Sequence, residues 1–125
     1  LGARVRFLGE LDWDAIPHYY RALDLFCAPA RWEGFGLTPL EAMASGVPVV
    51  AARVGAFDAL LRDDAVGTLV PRDDAAALTA AIAGWIDDPA RLAAGASAAR
   101  AHVDANHRIE AEADRLVAIY EQMLA

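Results

Sequence analysis

Two glutamates and the glycines beside them are the residues of this chain best suited to chemistry. Glu33 and Glu41 stand eight positions apart in the run EGFGLTPLEAMASGVPVVA, with Gly34 and Gly36 just after the first and a helix start before the second. A helix N-terminus leaves its first amides without intrahelical partners and carries the positive end of the helix dipole. The N–H groups of Phe35, Gly36, Leu37 and Thr38 therefore form a ready anion site. Gly34 and Gly36 permit a sharp turn and a close approach of ligand to backbone. Carboxylates accept paired hydrogen bonds from vicinal hydroxyls. With Glu33 in the loop and Glu41 in the first helical turn, the two are placed to face one cleft from different heights. A nucleoside diphosphate with hydroxyl-rich groups at both ends suits this set, phosphates on amides and hydroxyls on carboxylates. Taken singly, each residue has a plainer reading: Glu41 as a partner of the helix dipole, Glu33 as a solvated loop residue, the glycines as turn punctuation.

The remaining reactive side chains read as structural. His18, His102 and His107 show no metal-ligand spacing, and no metal site is expected. Trp32 abuts Glu33 and reads as a packed aromatic, Arg31 as a surface arginine, and Tyr19 and Tyr20 as ordinary helix residues. Cys27, inside an apolar run, reads as a small core residue. The acidic pairs Asp63-Asp64, Asp73-Asp74 and Asp87-Asp88 fall beside turns, where they cap helices.

Composition excludes several classes of function. All 11 basic residues are Arg, so neither a Schiff-base lysine nor a Walker-type phosphate-binding lysine exists in this sequence. One cysteine allows no internal disulfide and no cysteine-based zinc site. A net charge of −7 argues against nucleic-acid binding, whose footprint is a basic face. With 57% hydrophobic and 23% charged residues, the 125-residue chain has the makings of one ordered domain. No apolar run approaches the roughly 20 residues of a membrane span, and the start LGARVRFLGE lacks the order of a signal peptide. A soluble segment that begins in mid-fold is expected.

The elements that must position the glutamates follow from periodicity and punctuation. Strands are expected at Val5–Leu8, Leu25–Ala28, Pro48–Ala51 and Thr68–Val70. A helix over Asp12–Asp24 carries Trp13, Ile16, Tyr20 and Leu23 at helical spacing, with Pro17 near its first turn. Thr38 is expected to cap the next helix with Pro39 at its first position, and Gly46 to close it. A short helix follows at Ala56–Leu61, then three long ones at Asp74–Asp87, Pro89–Asp104 and Arg108–Leu124. Strands alternating with helices indicate a parallel sheet of Rossmann-like type, so residues 1–125 read as a single α/β domain with a helical tail. The opening strand and Gly-rich phosphate turn of a doubly wound half are missing, which implies the later part of a larger domain.

The run E-GFGLTPL-E resembles the E-x7-E signature of retaining glycosyltransferases of family 4, enzymes with the GT-B fold. The flanks VRFLGEL, YRALDLFCAPARWEGFG and GVPVVAARVGAFDALLRDDAVGTLVPRDDAAAL resemble the same family, so the resemblance covers essentially the whole chain. The wording RWEGFGLTPLEAMASGVPVVA is most similar to lipopolysaccharide-core mannosyltransferases. The resemblance implies the later part of the C-terminal, donor-binding domain. It implies that Glu33 contacts hydroxyls of the transferred sugar, as the residue nearest the chemistry, and that Glu41 grips the ribose. It implies further that Gly34, Phe35, Gly36, Leu37 and Thr38 meet the diphosphate and sugar through their amides, and that Leu11 and Asp12 line the base. Two departures stand out: the family's basic pair for the diphosphate lies upstream of this segment, and Ala30 stands where a small hydroxyl residue is common.

The expected function is therefore the donor half of a glycosyltransferase that retains anomeric configuration. The donor is a nucleotide sugar, GDP-mannose among the candidates, with no cofactor. The acceptor, a saccharide or lipid-linked chain, would be read by an N-terminal domain outside this segment. The work would be cytoplasmic, at the inner face of the cell membrane. A non-catalytic nucleotide-binding scaffold and a GT-B-type epimerase remain open as alternatives.

Overall fold

A computed structural model of the chain describes residues 2–124. Its centre is a parallel sheet of β1 (Phe26–Ala28), β2 (Val49–Ala52) and β3 (Gly67–Val70), in the order β1-β2-β3. Phe26 faces Val49 and Ala51 faces Leu69 across the two ladders. The run Val49–Ala52 is buried throughout, as the middle strand of a sheet covered on both sides must be. Side chains alternate along it: Val49 and Ala51 join a core with Met43 and Phe57, whereas Val50 joins one with Val70 and Trp85.

The first core is covered by α1 (Ile16–Arg21), α2 (Leu37–Ala44), the short α3 (Phe57–Leu60) and part of α5 (Pro89–Asn106). The second lies under α4 (Ala75–Ile86), which packs on β2 and β3. Asp74 caps α4 by accepting from the Ala77 amide at 2.8 Å, and Asp88 caps α5 by accepting from Arg91 at 2.9 Å. Asp63 accepts from Ala65 at 2.9 Å and closes a turn rather than a helix. Gly46, at φ 79, ends α2: its amide reaches Met43 O at 2.9 Å and the Val47 amide reaches Ala42 O at 3.0 Å, the paired bonds of a Schellman motif. The final helix α6 (Ile109–Leu124) contributes no buried residue. None of the described helices is long and apolar enough to cross a membrane.

Three expectations are corrected. Val5–Leu8 is irregular backbone, with Phe7 95% exposed. A strand is held by its neighbour's hydrogen bonds, and among the described residues no strand pairs with this run. The helix expected over Asp12–Asp24 is a 3-10 turn at Trp13–Ala15 followed by the six residues of α1, and Trp13 is 80% exposed instead of packed. Cys27 is exposed. It shares the face of its register partner Val50, but α4 covers β2 and β3 and leaves that side of β1 open.

Candidate functional site

The loop between β1 and α2 turns on Gly36, whose φ of 89 lies in the left-handed region. Gly36 is the N-cap residue of α2 and Leu37 its first helical residue, so Thr38 is not the cap and Pro39 is third in the helix. Glu41 consequently sits in the second turn, not the first. A left-handed glycine folds the chain back tightly enough to aim consecutive amides at one point, which a Thr38 cap would not.

That point is occupied from within. Glu33 Oε1 accepts from the amides of Gly34 at 3.0 Å, Phe35 at 3.2 Å and Gly36 at 3.2 Å. The loop is thus an anion cradle holding its own carboxylate. Of the amides expected to be free, those of Phe35 and Gly36 are engaged by Glu33. Those of Leu37 and Thr38, in the first turn of α2, have no intrahelical acceptor.

Glu41 is half-buried, and its carboxylate is held by an element the sequence did not single out. Tyr20 Oη donates to Glu41 Oε2 at 3.0 Å, joining α1 to α2. Tyr20 is buried, its ring edge-on to Phe26 at a centroid separation of 5.7 Å. Burial first, then the hydrogen bond and negative charge of Glu41, push the phenol up to about 12. Glu41, Thr38, Leu37, Leu11 and Tyr20 line a cavity of about 470 Å³. A more apolar cavity of about 290 Å³ adjoins it, with Trp13, Ile16, Tyr20 and Glu41 in its wall.

The structure therefore brings Leu11, Leu37, Thr38 and Glu41 to one cavity. Asp12 does not line it; exposed, it starts the 3-10 turn by accepting the Ala15 amide on its carbonyl at 2.9 Å. Glu33 and Gly34 also lie outside that lining. Phe35 and Gly36 border a smaller space of about 160 Å³ that His107 reaches from the end of α5. Burial, followed by the nearby His102, lowers the His107 pKa. Trp32 is 83% exposed beside the loop, which corrects its reading as a packed aromatic: nothing covers that side of the turn among the described residues. Arg31 pairs with Asp73 at 2.7 Å on the surface, where such a pair contributes little.

Tyr20 is the residue that reasoning from sequence missed. Its helical phase with Trp13 and Ile16 pointed only to packing, and its partner lies 21 residues away. Only the crossing of α1 and α2 brings them together.

The sequence model of the family described as "Glycosyl transferases group 1" matches residues 1–102. The chain belongs to the glycosyl transferases group 1 family. This group 1 segment is 49% identical, over 126 aligned positions, to the lipopolysaccharide core biosynthesis mannosyltransferase LpsB of Rhizobium meliloti (strain 1021), covering 99% of the chain and 35% of LpsB. It superposes on sucrose-phosphate synthase from Thermosynechococcus elongatus with a TM-score of 0.91 and 37% identity, over 99% of the segment and 31% of the synthase. The C-terminal domain of the group 1 protein LpcC from Francisella tularensis gives 0.73 and 32%, over 84% of the segment and 53% of that chain. The group 1 segment thus spans about a third of the length of LpsB. Its parallel α/β sheet with flanking helices is the fold that the resemblance implied.

Proposed function

We propose that residues 1–125 form the later part of the C-terminal, donor-binding domain of a retaining glycosyltransferase. The transferred sugar is mannose, carried by GDP, and the acceptor is a saccharide or lipid-linked chain bound by the rest of the full-length enzyme. The observation that carries this reading is the amide cradle at the start of α2, one turn from the Glu41 cavity. The name of LpsB, a lipopolysaccharide core mannosyltransferase, supports the choice of sugar and acceptor class.

In this reading the Leu37 and Thr38 amides and the α2 dipole receive the diphosphate. Glu33, already immobilised by three amides through Oε1, turns Oε2 to the sugar hydroxyls with little further ordering cost. It orients the sugar and is no nucleophile; charge developing as the diphosphate departs is met by dipoles fixed in advance. Glu41 takes the ribose hydroxyls, and Leu11 borders the base, with Asp12 at its edge. Transfer takes place in the cytoplasm, where sugar nucleotides are made, at the inner membrane face.

Thermal-shift and calorimetric titration of the full-length enzyme with GDP-mannose, UDP-glucose and UDP-N-acetylglucosamine tests the reading, since a ligand of the native state raises Tm by mass action. GDP-mannose should give the largest shift, and Glu41→Ala should remove most of it. If all three donors leave Tm unchanged, a non-catalytic scaffold is the better description. Equal binding by Glu41→Ala and the parent would refute the ribose role.

A further inference from the structure

We propose that Tyr20 is a positioning residue for the donor ribose, acting through Glu41. The inference rests on the donor-binding reading above and adds to it a residue outside the glutamate-glycine run. A glutamate at the wall of an open cavity samples many rotamers, and ordering it on ligand binding costs side-chain entropy. Here that ordering is done beforehand. Tyr20 is itself fixed, buried in the core and packed edge-on to Phe26 of β1, so its hydroxyl is a rigid post. Its bond to Oε2 at 3.0 Å pins the Glu41 carboxylate while both residues face the cavities beside α2. An ionised carboxylate has about four acceptor positions, and Tyr20 takes one of them. The remaining positions can accept two vicinal hydroxyls in a geometry set by the sheet, through Phe26 and Tyr20, rather than by chance rotamers. With its pKa raised to about 12, the phenol stays a donor at any physiological pH.

A structural role alone would explain the bond as a partner for a buried hydroxyl, so the test must read ribose recognition rather than stability. The intact enzyme is titrated with GDP and with UDP, each beside its 2′,3′-dideoxy form. Tyr20→Phe keeps the ring against Phe26 and should reduce the preference for ribose about tenfold, roughly the worth of one charge-assisted hydrogen bond. Affinity for the dideoxy forms should stay within about twofold of the parent. In a Glu41→Gln background, Tyr20→Phe should have no further effect on the ribose preference. An equal loss of affinity for both sugar forms overturns the inference. So does a full ribose preference in Tyr20→Phe when Glu41→Gln has lost it, and in that case the donor-binding reading survives. No ribose preference in the parent, or an undiminished one in Glu41→Gln, removes the donor-binding role of Glu41 and the inference with it. A fluorotyrosine placed at position 20 provides a second measurement that keeps the hydroxyl. Its fluorine resonance should move with the ribose nucleotide and not with the dideoxy form; equal responses overturn the inference.

Discussion

Gly55 lies directly beneath Glu33: a Cβ on Gly55 would stand 2.0 Å from the Glu33 carbonyl oxygen. Gly55 also has φ +48, a left-handed conformation that a side chain resists. The backbone after β2 thus supports the loop whose amides form the cradle, and the support works only without a side chain. The loop that reads as an independent Gly-rich turn is in fact seated on a second glycine 22 positions later in the chain.

Gly55→Ala should therefore lower stability and donor affinity together. Left-handed strain costs about 1–2 kcal/mol, and the clash moves Glu33 together with the amides that bind it. Thermal denaturation and donor titration of the same full-length variant measure the two effects. Unchanged donor affinity beside a lowered Tm would show that the cradle does not depend on this seat.

Glu33→Ala should separate function from folding. The three bonds it loses are at or near the surface, where water replaces the carboxylate, so stability should fall by no more than about 1 kcal/mol. Sugar transfer should fall about a hundredfold or more, because the sugar loses its fixed orientation. Denaturant unfolding and initial transfer rates report the two quantities. A variant that still transfers at the parental rate would remove Glu33 from the site.

Trp85 is the largest fully buried side chain and should dominate the stability of the second core. It donates from Nε1 to Thr68 Oγ1 at 2.9 Å and lies under the Arg91 guanidinium, 4.1 Å from the ring centroid. Gly95 leaves room for it, since a Cβ there would come within 2.5 Å of the ring. Trp85→Ala should cost about 3–5 kcal/mol, measured as a fall in the urea midpoint. A loss below about 1 kcal/mol would mean that α4, α5 and β3 repack around the vacancy.

Alkali should expose the Tyr20–Glu41 link. The folded state holds the Tyr20 phenol at about 12 against an ordinary 10.0, so it favours the protonated form. The stability this contributes is fully present below pH 10, declines above it, and is lost as pH rises through about 12. Because the chain has no Lys, no ammonium group of a lysine side chain titrates in the same window. Denaturation midpoints between about pH 9 and 12 should fall more steeply for the parent than for Tyr20→Phe. Parallel curves would remove the link.

The segment on its own should transfer no sugar and bind GDP-mannose no tighter than about millimolar. Three of its loop amides are already engaged by Glu33, its net charge is −7, and one helix dipole contributes only about 0.3–2 kcal/mol. Calorimetric detection of micromolar binding would show that the cradle suffices without the basic pair that the resemblance places upstream of this segment.

Local chemistry alone determines a good part of this protein. Asp74 and Asp88 cap the helices that follow them, Gly46 ends α2, and Val49–Ala52 is a buried strand, because caps, left-handed glycines and apolar runs act on neighbours within a few residues. The glutamate-glycine run is likewise legible, since its residue types and spacing lie in one stretch of chain. Tertiary structure decides the rest. Val5–Leu8 has strand composition but needs an adjacent strand to become one, and Cys27 is exposed because α4 stops short of β1. Thr38 has the chemistry of a cap, yet the turn is made by Gly36 with Glu33 folded back onto it. The two contacts that shape the site, Tyr20 with Glu41 and Gly55 under Glu33, each span more than twenty residues. No local periodicity encodes them; they exist only once the sheet has formed and the helices have packed across it.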